Sequence, residues 1–131
     1  MNHESKSSEL TNYELTQRFF FDAAHTLKRP METAGSRRVH GHTYHAELRV
    51  RGAPDPATGM VLDLGLLRAE AGKLRELLDH HMLDEVAGLG RPTLENLCAY
   101  IARHAQSAGL PLSGVAVWRE GIGDRCSLTL A

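Results

Sequence analysis

The sequence predicts an α+β fold in which a four-stranded antiparallel sheet carries two helices on one face. Two long stretches in the first half alternate apolar and polar residues, the pattern of half-buried strands. Two amphipathic helical stretches follow, and two further strand-like stretches close the chain. The order β-β-α-α-β-β favours antiparallel hairpins with both helices on one face, in two layers. Such a sheet has open edges, which favour oligomerisation edge to edge.

The first two strands carry histidines on their apolar side. In Tyr13–His25 the odd-numbered residues share a face with His25, and in His40–Arg51 the even-numbered residues share a face with His40 and His42. His45 lies on the opposite face of the second strand. Residues 26–39 contain proline, glycine and several polar side chains, so they predict an irregular connection.

The middle of the chain predicts a turn, a short strand and the first helix. The turn is Asp55–Gly59, and the short strand is Met60–Leu64. The helix is expected from about Leu66 to Leu78, and Asp63 is expected to cap it. One face of this helix carries the apolar residues Leu67, Ala71, Leu74 and Leu78.

The last third predicts a second helix and a hairpin. Thr93 is expected to be the N-cap of this helix. Its apolar face carries Leu97, Ile101, Ala105 and Ala108. The final strands are Gly114–Glu120 and Arg125–Leu130, joined by a turn at Gly121 and Gly123.

Composition indicates one globular domain. The chain has 131 residues, of which 42% are hydrophobic and 24% charged, with a net charge of −1. Without a basic excess or a long apolar run, we expect no nucleic-acid or membrane partner and a cytoplasmic location. Residues 1–12 are predicted to be a disordered leader without a secretory signal, followed by a single domain at 13–131. Cys98 and Cys126 form no CxxC pair, so a cysteine-based zinc site is excluded, and no disulfide is expected.

His25, His40 and His42 are the strongest candidates for metal ligands. Two imidazoles two residues apart on one strand face converge on one point, and a neighbouring strand supplies the third. Three protein nitrogens with a fourth position open are typical of a catalytic zinc site, although iron and copper are chemically acceptable. Alternatively, each histidine is buried and hydrogen-bonded to the backbone, which would require a separate partner for each ring.

Three further groups could carry chemistry. Asp79 and His80 suit a proton shuttle, or else form a polar helix C-terminus. Glu120, at the end of an apolar strand, could hold a planar heterocycle with adjacent N–H donors, or simply lie in solvent. Thr93 and Glu95 fit a capped, acidic helix start, whose free N–H groups could also face a ligand.

These motifs resemble the 6-pyruvoyl-tetrahydropterin synthase family, including the bacterial 6-carboxytetrahydropterin synthases of queuosine biosynthesis. The resemblance runs from about residue 13 to the end. It is carried, in order, by Phe21-x-Ala23-Ala24-His25, His40-Gly41-His42, Asp55-Pro56-x-Thr58-Gly59-Met60-Val61-x-Asp63, Leu78-Asp79-His80, Pro92-Thr93-x-Glu95-Asn96 and Glu120.

The resemblance implies a tunnelling fold, with sheets joined at their edges into a trimeric barrel and two trimers forming a hexamer whose active sites lie between subunits. It implies that His25, His40 and His42 bind zinc, that Glu120 anchors the pterin ring, and that Asp79 and His80 transfer a proton. The implied substrate is 7,8-dihydroneopterin triphosphate. In the bacterial branch the implied products are triphosphate, acetaldehyde and 6-carboxy-5,6,7,8-tetrahydropterin.

One position departs from the family. A cysteine a few residues before the HGH motif is the base in the family, and this chain has Ser36 there. A thiol is easily tuned to ionise, whereas a hydroxyl needs a base to activate it. Three alternatives remain: His80 activates Ser36, Glu32 is the base, or the usual activity is weak or absent. Arg37 and Arg38 could meet the triphosphate. The other activities considered are a 6-pyruvoyl-tetrahydropterin synthase, a dihydroneopterin aldolase-like cleavage and a non-catalytic zinc- and pterin-binding protein.

Overall fold

The four strands form one antiparallel sheet in the order in which they occur in the chain. The structure is a computed structural model, and it describes residues 10–26 and 39–130. The strands are β1 (Tyr13–His25), β2 (His40–Gly52), β3 (Gly114–Arg119) and β4 (Asp124–Thr129), and the sheet order is β1-β2-β3-β4. Neighbouring strands are antiparallel throughout, as the sequence predicts.

The register of β1 against β2 brings the histidines together at one end of the sheet. His25 lies opposite His40, and Ala23 lies opposite His42. Because side chains alternate along a strand, all three histidines project from the same face as Phe21 and Tyr44, which are buried. The predicted faces of both long strands are therefore confirmed.

Two helices cover this face of the sheet. They are α1 (Leu64–Leu78), which packs on β1, and α2 (Leu94–Ser107), which packs on β3 and β4. Asp63 caps α1 by accepting a hydrogen bond from Gly65 N at 2.8 Å, and Thr93 caps α2 by accepting one from Asn96 N at 3.1 Å. The predicted apolar face of α1 is buried, and so is that of α2 up to Ala105.

The structure corrects two predicted elements. Residues 60–62 form a bend instead of a strand, because Met60 O accepts a hydrogen bond from Asp55 N across the turn and α1 already begins at Leu64. Ala108 is the exposed C-cap of α2 and no part of its buried face, because the helix ends at Ser107 and Gly109 follows with φ +90°.

A segment after α1 extends the sheet locally along the free edge of β1. His80 N donates to Asp22 O at 2.6 Å, and Ala24 N donates to His81 O at 3.1 Å. A short 3₁₀ turn, Leu83–Glu85, follows this segment. Within the described ranges no helix is both long enough and apolar enough to span a bilayer.

Candidate active site

His25, His40 and His42 form one compact group. One ring nitrogen from each lies within 4.8 Å of the others. The ring centroids are 4.4 Å apart for His25 and His40, and 4.9 Å apart for His42 and either of the other two. The sequence-predicted metal ligands are thus brought together, whereas His45 stacks on Trp118 on the opposite face of the sheet.

The surroundings of His25 and His42 favour the neutral form of these two rings. Burial, followed by the neighbouring His40 and His42, lowers the pKa of His25 to about 4. Burial and then Arg119 also lower the pKa of His42. Neutral rings keep a lone pair available, and a metal ion needs that lone pair.

The donor set fits a divalent metal. His25 is 3% exposed, and neither of its ring nitrogens has a hydrogen-bond partner among the described residues. Buried polar atoms are normally paired, so a buried ring of this kind indicates a missing partner, and a metal ion would bind one of its two nitrogens. Three imidazoles are a ligand set that suits zinc. The alternative in which every ring is satisfied by the backbone therefore fails for His25.

Arg119, the last residue of β3, reaches the histidine group. Its Nη1 lies 3.2 Å from His42 Nε2, and its guanidinium lies over the Tyr44 ring at 5.9 Å from the centroid. Nε and Nη2 of the same group donate to the two carboxylate oxygens of Asp124. Sequence reasoning overlooked Arg119, although it lies two residues after the buried Val117 and so points to the same face.

Asp79 and His80 belong to a second group, built around Asp22. Asp79 Oδ1 accepts a hydrogen bond from Asp22 N at 2.8 Å but lies 3.8 Å from His80 Nε2, too far for a hydrogen bond. The Asp22 N–H group is the main cause that lowers the pKa of Asp79, and His80 and Arg75 lower it further. Asp79 is also the C-cap of α1, which agrees with the interpretation of this segment as a polar helix C-terminus, while its role in a proton shuttle stays a prediction.

The backbone and surroundings of His80 are unusual. His80 has φ +58°, the left-handed region that few residues with a side chain adopt. The ligating atoms of Asp22, Asp79 and His80 all lie within 4.8 Å of one another. A cleft of about 500 Å³ lies beside them, and its lining includes Asp22, Thr43 and His80.

The two groups face opposite sides of the same two strands. Asp22 alternates with Ala23 and is exposed, and its carboxylate accepts a hydrogen bond from the Thr43 hydroxyl on the neighbouring strand. His25 and His42 project from the other side of these strands. Within a single chain the Asp79–His80 pair and the histidine group therefore project from opposite faces of the sheet, although His42 also lines the cleft beside His80.

The three residues predicted to bind substrate lie at a turn and at a helix start. β3 ends at Arg119 rather than Glu120, and Glu120 is exposed in the following turn. The Thr93 hydroxyl is engaged as the α2 cap, and Glu95 is exposed in the first turn of α2. Trp118, two residues before Glu120, faces away from the three histidines, since it stacks on His45.

Four residues considered in the sequence analysis lie outside the described residues: Ser36, the alternative base Glu32, Arg37 and Arg38.

Asp84, which the sequence analysis does not consider, contacts the residue directly after His25. Its two carboxylate oxygens accept hydrogen bonds from Thr26 N at 2.9 Å and Thr26 Oγ1 at 2.7 Å, directly after His25. The negative charge of Asp84 opposes the lowering of the His25 pKa.

A family model matches nearly the whole chain, and individual relatives match about two thirds of it or more. A family model described as 6-pyruvoyl tetrahydropterin synthase matches residues 14–129. The 6-carboxy-5,6,7,8-tetrahydropterin synthase of Synechocystis sp. is 36% identical over 98 residues, which cover 71% of this chain and 74% of that relative. The 6-pyruvoyl tetrahydrobiopterin synthase of Drosophila melanogaster is 38% identical over 101 residues, covering 66% of this chain and 60% of the relative.

Solved structures share the fold. The 6-pyruvoyl tetrahydropterin synthase of Caenorhabditis elegans superposes with a TM-score of 0.77 at 24% identity, covering 92% of this chain and 96% of that one. The Plasmodium vivax 6-pyruvoyl tetrahydropterin synthase superposes with a TM-score of 0.68 at 18% identity, covering 89% of this chain and 96% of that one. With the match over residues 14–129, the chain belongs to the 6-pyruvoyl tetrahydropterin synthase family.

Proposed function

We propose that this chain is a zinc-dependent lyase that converts 7,8-dihydroneopterin triphosphate into 6-carboxy-5,6,7,8-tetrahydropterin, in the pathway to queuosine and other 7-deazapurines. The observation that carries the proposal is the buried His25, whose ring packs against His40 and His42 and whose nitrogens have no hydrogen-bond partner among the described residues. The identity to the Synechocystis 6-carboxy-5,6,7,8-tetrahydropterin synthase supports this branch of the family.

His25, His40 and His42 would hold the zinc ion. Zinc bound there would act as a Lewis acid that polarises the side-chain oxygens of the pterin and makes the neighbouring C–H groups more acidic. Asp84 fixes the end of β1 through Thr26, and this contact keeps His25 directed toward the other two rings.

Asp79 and His80 would handle the proton. Asp79 stays ionised because the Asp22 N–H group, His80 and Arg75 all favour its charged form, and a fixed carboxylate stabilises a protonated imidazole nearby. Since this pair and the histidine group face opposite sides of β1 and β2, we propose that a second copy of the chain supplies the pair. The open edges of the sheet would support such a trimer or hexamer.

Glu120 would contact the pterin ring from the β3–β4 turn, where its exposed carboxylate is free to accept hydrogen bonds from adjacent ring N–H groups. Thr93 and Glu95 would contribute the start of α2. In this role Thr93 acts through the helix end that it caps, because its hydroxyl already accepts the Asn96 N–H group.

Ser36 would be the base in place of the family cysteine, activated by His80, and Glu32 is the alternative. Solved variants of the Plasmodium vivax enzyme alter a glutamate that is described as a catalytic residue. This precedent supports a carboxylate base in a related fold and makes Glu32→Gln the direct comparison with Ser36→Ala. The variant that loses turnover while it retains bound zinc identifies the base.

Product identification tests the proposal. Zinc-loaded chain incubated with 7,8-dihydroneopterin triphosphate should release triphosphate, acetaldehyde and the carboxylated pterin, which mass spectrometry separates from 6-pyruvoyl-tetrahydropterin and from aldolase products. Absence of all these products from metal-loaded protein would refute the lyase activity.

A non-catalytic zinc- and pterin-binding protein is the second candidate, and the serine at position 36 favours it. The variant Ser36→Cys separates the two functions. A large gain in turnover with cysteine would indicate a disabled base in the natural chain, and a loss would indicate a mechanism adapted to serine.

A further inference from the structure

Among the residues that the structure describes, Arg119 is a cation in direct contact with the histidine group. Arg119 is mostly buried, with 17% of its side chain exposed, and its Nη1 lies 3.2 Å from His42 Nε2. It leaves β3 on the same face as the buried Val117, which pairs with Ala46. The guanidinium therefore lies beside the histidine group and not on the outer face of the sheet.

The contacts of Arg119 leave one of its donor groups directed at the histidines. Asp124 accepts from Nε and Nη2, so it fixes the plane of the guanidinium from the β4 side. Nη1 remains and donates to the Nε2 lone pair of His42. That lone pair serves one partner at a time, so a metal ion bound through Nε2 would leave the two Nη1 hydrogens to other acceptors, which are the adjacent Tyr44 hydroxyl and an acceptor on a ligand.

The chemistry of this donor selects an oxyanion. A guanidinium has only N–H donors, so it pairs with carboxylate or phosphate oxygens. It cannot pair with the N–H edge of a heterocycle, because that edge requires a hydrogen-bond acceptor. Partial burial strengthens its attraction for an anion relative to that of a surface arginine. Glu120, the neighbouring carboxylate, is exposed in the turn and leaves the place beside the histidines to Arg119.

We propose that Arg119 is a specificity-determining residue that binds an oxyanion of the substrate, a phosphate or a carboxylate, beside the three histidines. The inference deepens the proposed function, because it assigns the substrate class of the same site. The inference requires a negatively charged group on the ligand close to the metal position. That group is either a phosphate, which leaves with the triphosphate, or a carboxylate, which stays on the pterin.

Binding measurements on the full-length zinc-loaded chain test this inference. The probes are inorganic triphosphate, pterin-6-carboxylate and pterin without the carboxylate, titrated calorimetrically. The double variant Arg119→Gln/Asp124→Asn removes the guanidinium without changing the net charge. The matched control is Arg125→Gln, which removes an arginine that packs on Trp118 on the outer face of the same hairpin.

We expect the double variant to lose at least about tenfold in affinity for an anionic probe, the equivalent of one charge-assisted hydrogen bond. Affinity for pterin without the carboxylate should stay within about twofold, and the control variant should bind all three probes like the natural chain. The anionic probe that responds identifies the source of the oxyanion. Equal affinities of the natural chain and the double variant for both anionic probes would overturn the inference.

A second measurement uses the natural chain only, so it does not depend on how the variants fold. The bound anionic probe should slow the modification of Arg119 by phenylglyoxal, followed by peptide mass spectrometry, and leave that of Arg125 unchanged. Equal rates for Arg119 with and without probe would contradict the inference. If the chain releases no pterin product but Arg119 still governs anion binding, the lyase proposal fails and this inference stands.

Discussion

Replacing His25 by leucine should stabilise the metal-free chain. Leucine has nearly the volume of histidine, so the substitution removes two buried nitrogens that have no partner among the described residues without opening a large cavity. Each unsatisfied buried polar group costs about 1–3 kcal/mol, and some of that cost is recovered by relaxation in the natural chain. We therefore expect a gain of about 1–3 kcal/mol near pH 7.5, seen as a rise of about 3–10 °C in Tm.

The same variant should change the pH dependence of stability. The folded chain holds the pKa of His25 at about 4, against 6.5 for an ordinary histidine. The unfolded chain binds more protons between these values, so the natural chain loses stability as pH falls from 6.5 to 4. The whole difference is worth about 3 kcal/mol at 1.36 kcal/mol per pKa unit. The advantage of the leucine variant should widen by about this amount across that range.

Metal should reverse the order of stability at neutral pH. A ligand that binds only the folded chain at 100 times its Kd stabilises it by about 2.7 kcal/mol, and His25→Leu removes one of the three ligands. Differential scanning calorimetry with chelator and with zinc gives both comparisons, and His45→Leu is the matched control on the outer face. A metal-free His25→Leu variant that is less stable than the natural chain would refute the reasoning, because His25 would then be satisfied.

Three other substitutions give separate expectations. Asp79→Asn should lower turnover by about 100-fold or more and leave zinc affinity unchanged, because Asp79 is proposed to act in proton transfer and is not among the three histidines; a changed zinc affinity would contradict this. Glu47→Gln should lower the free energy of unfolding by about 1–3 kcal/mol in chemical denaturation, because the buried carboxylate accepts a hydrogen bond from Arg49 at 2.7 Å. Burial alone would raise the pKa of Glu47, but Arg49 and Arg18 lower it. The loss of stability in the variant should therefore shrink as pH falls through that lowered pKa. Thr93→Ala should cost about 1 kcal/mol through the lost cap and Thr93→Ser should restore it, whereas an unchanged Tm for the alanine variant would show that the cap adds nothing.

Alternation and caps were enough to predict the framework of the site. The two long strands have a clear period of two, so their faces and the meeting of His25, His40 and His42 follow from the sequence. Asp63 and Thr93 mark the helix starts by their capping chemistry. The short apolar run at 60–64 fits a strand and a bend equally well, and only its hydrogen bond to Asp55 decides between them.

The remaining parts of the site depend on contacts between distant residues. The Asp22–Asp79 hydrogen bond exists because the segment after α1 lies along β1, which no local pattern indicates. The position of Arg119 could have been predicted, since it shares a face of β3 with the apolar Val117, whereas the sequence analysis considers only the carboxylate of Glu120. The sequence does not predict which side of the sheet the Asp79–His80 pair faces, because this depends on the backbone contacts between residues 80–81 and β1.

The positive φ of His80 sets a limit on how this chain can vary. Glycine would occupy that backbone conformation freely, and asparagine at little cost, whereas a histidine is disfavoured there by about 1–2 kcal/mol. Selection for stability alone would therefore replace the residue. The proton-transfer role proposed for the ring would account for this backbone cost, and a His80→Gly protein should then be more stable than the natural chain but inactive.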